Sequence, residues 1–185
     1  MNLFYIISGI WLTAEILLNR LVRSGKGDNQ KVDSNTERYL WIVIAIAVTL
    51  GVYVSFITYQ PIVLLNNFSY VGMALMIAGI LLRIIAIKQL GKYFTVDVTI
   101  RQEHQLMQSG LYKHVRHPSY TGVLLAFLGL GITFNNWYSL LIIFIPVFSV
   151  FVIRMSTEEK ALLAQFGEAY KNYINNTKRL LPFIY

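Results

Sequence analysis

The chain has 185 residues, 56% of them hydrophobic, with no cysteine and a formal net charge of +7; its mean hydropathy is +0.54. A soluble domain runs about 45–50% apolar, and here the excess is gathered into long uncharged runs, which argues against a soluble fold. The missing cysteine excludes disulfides, thiolate metal sites and thiol nucleophiles.

The expected fold is all-α: a multi-pass integral membrane protein of about five transmembrane helices plus a C-terminal juxtamembrane helix. The first span, Leu3–Leu18, lacks a basic leader and a small-residue cleavage pattern, and basic residues follow it. It therefore reads as a retained helix rather than a signal peptide. The polar connection after it carries Arg20, Arg23, Lys26, Lys31 and Arg38. Ser34-x-x-Glu37 reads as a capping box opening the second span, Tyr39–Tyr59. Gln60–Asn67 carries no Lys or Arg and leads to the third span, Phe68–Ile87.

A second basic loop follows, with Lys88, Lys92, Arg101, Lys113 and Arg116. Pro118 suits the first turn of the fourth span, Tyr120–Phe134. That span is only about 15 residues, roughly 22 Å at helical rise and short for a full crossing. Asn135-Asn136 should turn the chain tightly into the fifth span, Trp137–Ile153, which Pro146 should kink. From Arg154 a juxtamembrane helix is expected. Leu162, Leu163, Phe166, Tyr170 and Tyr173 give it an apolar stripe that can lie on the membrane surface or over the cytoplasmic loop. The closing Leu181-Pro182-Phe183-Ile184-Tyr185 shows no lipidation signal.

Fifteen of the 16 basic residues fall in the two basic connections and the tail. Positive charge is retained in the cytoplasm, so the expected topology is N-terminus out and C-terminus in, across a prokaryotic cytoplasmic membrane. The charge then orients the protein rather than binding nucleic acid. Glu15 and Arg83 are intramembrane charges near the cytoplasmic ends of their spans, where snorkelling suffices.

Polar residues with chemical potential concentrate in Lys88–Gly122, which holds His104, His114 and His117, and in Arg154–Arg179. The first stretch can wrap a polar cofactor beside a membrane, or it can be an amphipathic interfacial loop. Arg154 and Glu158 share a helix face, either as a site or as an i,i+4 ion pair. Ser156-x-x-Glu159 also reads as a capping box. Arg179 reads as a surface or phosphate-facing charge. No HExxH, P-loop, Rossmann or GxSxG pattern is present, and no metal site is expected.

The string Gly110-x-Tyr112-x3-Arg116-His117-Pro118-Ser119-Tyr120-x-Gly122 resembles the signature of the isoprenylcysteine carboxyl methyltransferase family. His104-x-Leu106 upstream fits, as do Arg154-x3-Glu158-Glu159, Phe166-Gly167-Glu168-x-Tyr170-x2-Tyr173 and Leu181-Pro182 downstream. The likeness runs from about Leu90 to Pro182; the earlier spans match only as hydrophobic helices. Asn175 and Asn176 stand where some members carry basic residues.

The resemblance implies S-adenosylmethionine as methyl donor. It places His104, Gln105, Leu106 and Met107 in one cofactor-binding segment and Tyr112, His117, Pro118, Ser119 and Tyr120 in a second. It makes Glu158 a cofactor-contacting acid and Arg154 the group that orients the substrate. One membrane domain is expected over residues 1–185. Residues 1–89 form its three N-terminal spans; 90–185 form the catalytic part, with cofactor loop, hairpin and C-terminal helix. The acceptor would enter laterally from the lipid and the donor from the cytoplasm. A chain without extra N-terminal helices resembles bacterial and archaeal members, so the acceptor can be isoprenylcysteine or another lipophilic acid, phenol or thiol. Two rivals stand beside this reading. A phospholipid N-methyltransferase would need a carboxylate or aromatic cage for its amine. A non-catalytic membrane binding or transport protein would show paired broken helices or buried mid-membrane charges.

Overall fold

A computed structural model of the chain describes residues 2–21, 31–33, 35–64, 67–94, 98–99 and 105–182. Six helices carry the fold: α1 (Asn2–Leu21), α2 (Asn35–Ile57), α3 (Ser69–Leu90), α4 (Pro118–Thr133), α5 (Trp137–Phe166) and α6 (Glu168–Asn176). Among the described residues the regular structure besides helix is one short antiparallel pair, β1 (Lys31–Asp33) with β2 (Val98–Thr99), and an isolated bridge between Val115 and Lys178. Ser34, the first residue of the expected capping box, lies outside the described residues.

Among the described residues three helices are long and apolar enough to cross a membrane: Thr36–Ile57, Ser69–Leu90 and Trp137–Phe166. Two apolar helices, Leu3–Leu18 and Pro118–Thr133, are shorter. Large apolar side chains such as Ile10, Ile46, Phe56 and Ile84 stand exposed on α1, α2 and α3. Exposed apolar surface on this scale marks contact with lipid, and the protein is an integral membrane protein.

Small residues set the tightest packing. A Cβ added at Gly79 would come 2.5 Å from the carbonyl oxygen of Gly122, and one added at Gly129 would come 2.5 Å from that of Gly72. Two rungs of facing glycines thus let α3 and α4 touch backbone to backbone, as small residues do between helices in lipid. The structural reason for Gly122 in the sequence signature is this contact. Its partner Gly79 carried no such mark.

The hairpin between α4 and α5 turns where the asparagines predicted it. Asn135 adopts φ +46°, and the Asn136 side chain caps α5 by accepting from the Ser139 amide at 3.1 Å. Asn135 also accepts from the amides of Ile62 and Val63, and Asn136 donates to the Thr58 carbonyl. The α2–α3 connection is thereby tied to the hairpin tip.

The end of α5 moves the start of the expected juxtamembrane helix from Arg154 to Glu168, where α6 begins. The fifth span continues without interruption through Pro146 and past Ile153 to Phe166, 30 residues in all. Nothing breaks it earlier, because Ser156 turns its hydroxyl back to the Val152 carbonyl instead of capping a new helix. The break comes at Gly167, whose φ of +53° ends α5 and starts α6. A second correction concerns Glu15 and Arg83. They pair with each other instead of standing as separate charges: Arg83 Nε lies 2.7 Å from Glu15 Oε1 and Nη2 donates to Oε2 at 2.8 Å. Pairing removes the cost of burying each charge alone.

Candidate active site

Helix α1 runs antiparallel along α4. Phe4 meets Phe134 edge-on with ring centres 5.6 Å apart, Trp11 meets Phe127 at 4.8 Å, and Arg83 links Glu15 to the Ser119 hydroxyl at 3.0 Å. Between these helices and α2 and α5 lies an elongated chamber of about 450 Å³. Its walls are mainly apolar, with Ile44, Val48, Val123 and Leu130 among them. One end is polar and is formed by Glu15, Glu37, Arg83, Tyr120 and Arg154.

At that end Tyr120 joins two charges. Its hydroxyl donates to Glu158 Oε2 at 2.8 Å and accepts from Arg154 Nε at 3.1 Å. Arg154 is 4% exposed and faces the chamber, whereas the Glu158 side chain is 32% exposed. A phenol from α4 thus bridges the Arg154 and Glu158 side chains of α5. His117 stacks on Tyr120 with ring centres 5.4 Å apart and brings Nδ1 to 3.9 Å from Glu158 Oε2. An aromatic, carboxylate-lined corner of this kind attracts a cation, and Arg154 offers a planar fork to an anion.

A second cluster braces the first from behind. His117 Nε2 lies 3.2 Å from Glu159 Oε1, and Arg116 Nε and Arg179 Nε each donate to the same carboxylate at 3.0 Å. Glu159 is therefore the centre of an ion cluster, not a helix cap. Arg179, expected at the surface, is part of it. The Arg116 amide donates to the Lys178 carbonyl and the His117 amide to the Arg179 carbonyl, which pins the C-terminal segment beside the start of α4.

Tyr112 sits in the 3-10 turn Gly110–Lys113 and is buried. It donates to the Ala86 carbonyl, and its own carbonyl accepts from the Tyr173 hydroxyl. Burial, helped by the nearby Glu158 charge, raises the Tyr112 phenol above its ordinary range, so it stays neutral. Burial likewise raises Tyr170 and pushes Tyr173 up to about 12. The glycine that opens the turn has φ +61°, and the Gln89 side chain accepts from the Leu111 amide at 2.8 Å, docking the turn on α3.

Of the residues singled out in the sequence, the structure gathers Tyr112, His117, Tyr120, Arg154 and Glu158 around one corner. Pro118 occupies the first turn of α4, and Ser119 faces Arg83. Gln105 is exposed, Leu106 and Met107 are half-buried, and the Ser109 hydroxyl contacts the Met107 sulfur. His104 lies outside the described residues. Sequence reasoning missed Glu37 and Phe94 as chamber residues and Glu159 as an ion-cluster centre. No local pattern announces them, since each acquires its role from a distant element.

Fold and site together define a helical membrane protein with a lipophilic chamber that ends in a charged, partly exposed corner. Residues 71–164 match the isoprenylcysteine carboxyl methyltransferase (ICMT) family, and the chain belongs to that family. It is 33% identical over 118 residues to a probable protein-S-isoprenylcysteine O-methyltransferase of Oryza sativa subsp. indica, covering 63% of this chain and 62% of that protein. It is 34% identical over 122 residues to protein-S-isoprenylcysteine O-methyltransferase B of Arabidopsis thaliana, covering 65% and 60%. These matches thus span about three fifths of the relatives' length. The fold is similar to that of a eukaryotic intramembrane Ras methyltransferase, ICMT, with TM-score 0.61 and 24% identity, covering 83% of this chain and 55% of the other.

Proposed function

We propose that the protein is an S-adenosylmethionine-dependent methyltransferase that acts on a lipophilic acceptor at the membrane, with carboxyl O-methylation as its reaction. The observation that carries this reading is the Tyr120 bridge. It sets Arg154, at the chamber's polar end, beside Glu158, which solvent can reach.

The residues present fit a cationic donor: a part-exposed carboxylate at Glu158 beside the stacked faces of His117 and Tyr120. Glu158, Tyr112, His117, Pro118, Ser119 and Tyr120 would hold it, together with Gln105, Leu106 and Met107 of the upstream segment. When bound, the donor supplies an electrophilic methyl: an acceptor oxygen forms the new C–O bond as the S–CH₃ bond breaks, and the bonding pair stays on sulfur. A carboxylate is already ionised at neutral pH, so no side chain has to act as a base. The work of the chain is alignment and exclusion of water. Arg154 orients the acceptor carboxylate, and Tyr120 holds Arg154 in place. The apolar walls take the acceptor's lipid tail, and a lipidated cysteine such as the family's name describes fits this division.

The reading includes five crossings, with α1 and α4 as the two shorter ones. All of residues 1–185 form one domain, in which 1–89 supply the chamber's outer helices and 90–185 the chemistry. Its N-terminus lies outside and its C-terminus in the cytoplasm, so that the donor arrives from the cytoplasm. The shared location of the three basic segments supports this orientation: β1 pairs with β2, and Val115 bridges to Lys178.

Calorimetry and turnover on the detergent-solubilised chain test the proposal. S-adenosylmethionine should bind the wild type, and labelled donor should methylate a component of a membrane lipid extract. Arg154→Ala should abolish turnover yet keep donor binding; equal loss of both would remove the role given to Arg154. Absence of donor binding in the wild type would favour the non-catalytic reading.

A further inference from the structure

At the end of the chamber away from Arg154 the lining includes Phe4 and Phe134. Along α4 the lining runs from Tyr120 at the polar end through Val123, Phe127 and Leu130 to Phe134, where the Phe4 ring abuts it edge-on. The separation of fourteen residues is roughly 21 Å at helical rise. Phe4 and Phe134 stand on the two helices that clasp the chamber, and both also belong to its lining. Their ring pair is thus the last obstacle on the line that starts at Arg154.

We propose that the Phe4–Phe134 pair is a chain-length stop, which limits the acceptor's lipid tail to roughly 21 Å when its carboxylate is seated at Arg154. The proposal rests on the acceptor reading above and adds a specificity to it.

The physics predicts a particular shape for the length dependence. For an acceptor drawn from water, each buried CH₂ would raise affinity about four-fold, and longer tails would bind steadily better. An acceptor in a bilayer starts in hydrocarbon as apolar as the chamber, so that gain is absent. Tail length then matters little until the tail reaches the stop. A longer tail must push the carboxylate away from Arg154, and a misplacement of about 1 Å at a reacting centre costs about 100-fold. The expected curve is a plateau followed by a cliff.

The test measures kcat/KM of the full chain in nanodiscs, at saturating donor, for S-alkyl N-acetylcysteines of rising straight-tail length. Each curve is scaled to its own short-tail plateau. The wild type should stay flat within about three-fold and then fall on the order of ten-fold or more over a few added carbons. Phe134→Ala should move the cliff to longer tails, and Leu130→Trp, which adds bulk higher in the chamber, should move it to shorter ones. Phe134→Leu serves where the alanine variant does not fold, with a smaller shift in the same direction. Absence of a cliff in the wild type overturns the stop, because the tail must then leave sideways. A cliff at the same length in all variants overturns it too. Both results leave methyl transfer itself intact, whereas no turnover at any tail length overturns the acceptor reading beneath it.

Discussion

Tyr120 stands between two charges that a helical wheel places on one face of α5. The sequence brings Arg154 and Glu158 together by i,i+4 spacing but cannot say whether they pair directly. The deciding atom is a phenol oxygen from α4, thirty-four residues before Arg154. No periodicity links two helices joined by a hairpin, so this part of the site was illegible except through the family string. Tyr120→Phe separates the two jobs of the side chain. The ring would still stack on His117 and lean on Phe151, with centres 5.3 Å apart, while both hydrogen bonds to charged groups disappear. Of the two, the bond to Arg154 bears on acceptor alignment; one such bond contributes about 1.5–3 kcal/mol, so turnover should fall about 10–100-fold. Donor affinity should change much less, since the aromatic face is kept. Steady-state kinetics and calorimetry read the two effects separately, and a parallel loss would show that Tyr120 serves donor binding alone.

Helices were legible where hydropathy reports them and illegible where it does not. The apolar runs located α1 to α4 to within a few residues. They misplaced the end of α5, because hydropathy tells what surrounds a helix and says nothing about where its backbone stops. The apolar stretch ends at Ile153, yet good helix formers carry the same helix on to Gly167. The glycine contacts between α3 and α4 went unread, although Gly72 and Gly79, like Gly122 and Gly129, stand seven apart on one helix face; the spacing alone does not say which helices meet. Gly79→Leu should force the two helices apart and leave little folded protein, read as loss of a monodisperse peak in detergent. Gly9→Leu is the control: nothing lies within 4 Å of a Cβ at Gly9, and its cost should stay under about 0.5 kcal/mol. The ion cluster that joins α4, α5 and the C-terminal segment gives a second test of packing. Glu159→Ala strands Arg116 and His117 in a buried site, while the part-exposed Arg179 can recover some hydration. The loss should be about 3 kcal/mol or more, and Glu159→Gln, which keeps the shape, should lose less. Thermal unfolding of both variants in one detergent ranks them.

For the whole molecule, the distribution of charge carries the strongest inference from sequence to arrangement. The two basic connections and the tail are distant in the chain. In the structure β1 and β2 join the first two, and the bridge from Val115 to Lys178 joins the tail. The asparagine turn and the Thr58–Val63 segment hold each other at the other end of the α2–α5 helix pair. Ion pairs inside the bundle could not have been read in this way. Glu15 and Arg83 looked like separate snorkelling charges, since sequence gives no partner for a residue sixty-eight positions away. The cysteine-free chain lets orientation be measured directly, because each introduced thiol is the sole site for a membrane-impermeant reagent. Lys178→Cys and Lys113→Cys should label only from the cytoplasmic side of the membrane, and Leu64→Cys, at an exposed position between α2 and α3, only from the opposite side. Excess Lys and Arg on one face sets which way a chain inserts. Replacing Lys88, Lys113, Lys160 and Lys171 with glutamine leaves eleven of the fifteen basic residues on that face, so labelling should stay one-sided. Labelling from both sides in that variant would mean that these four lysines alone hold the orientation.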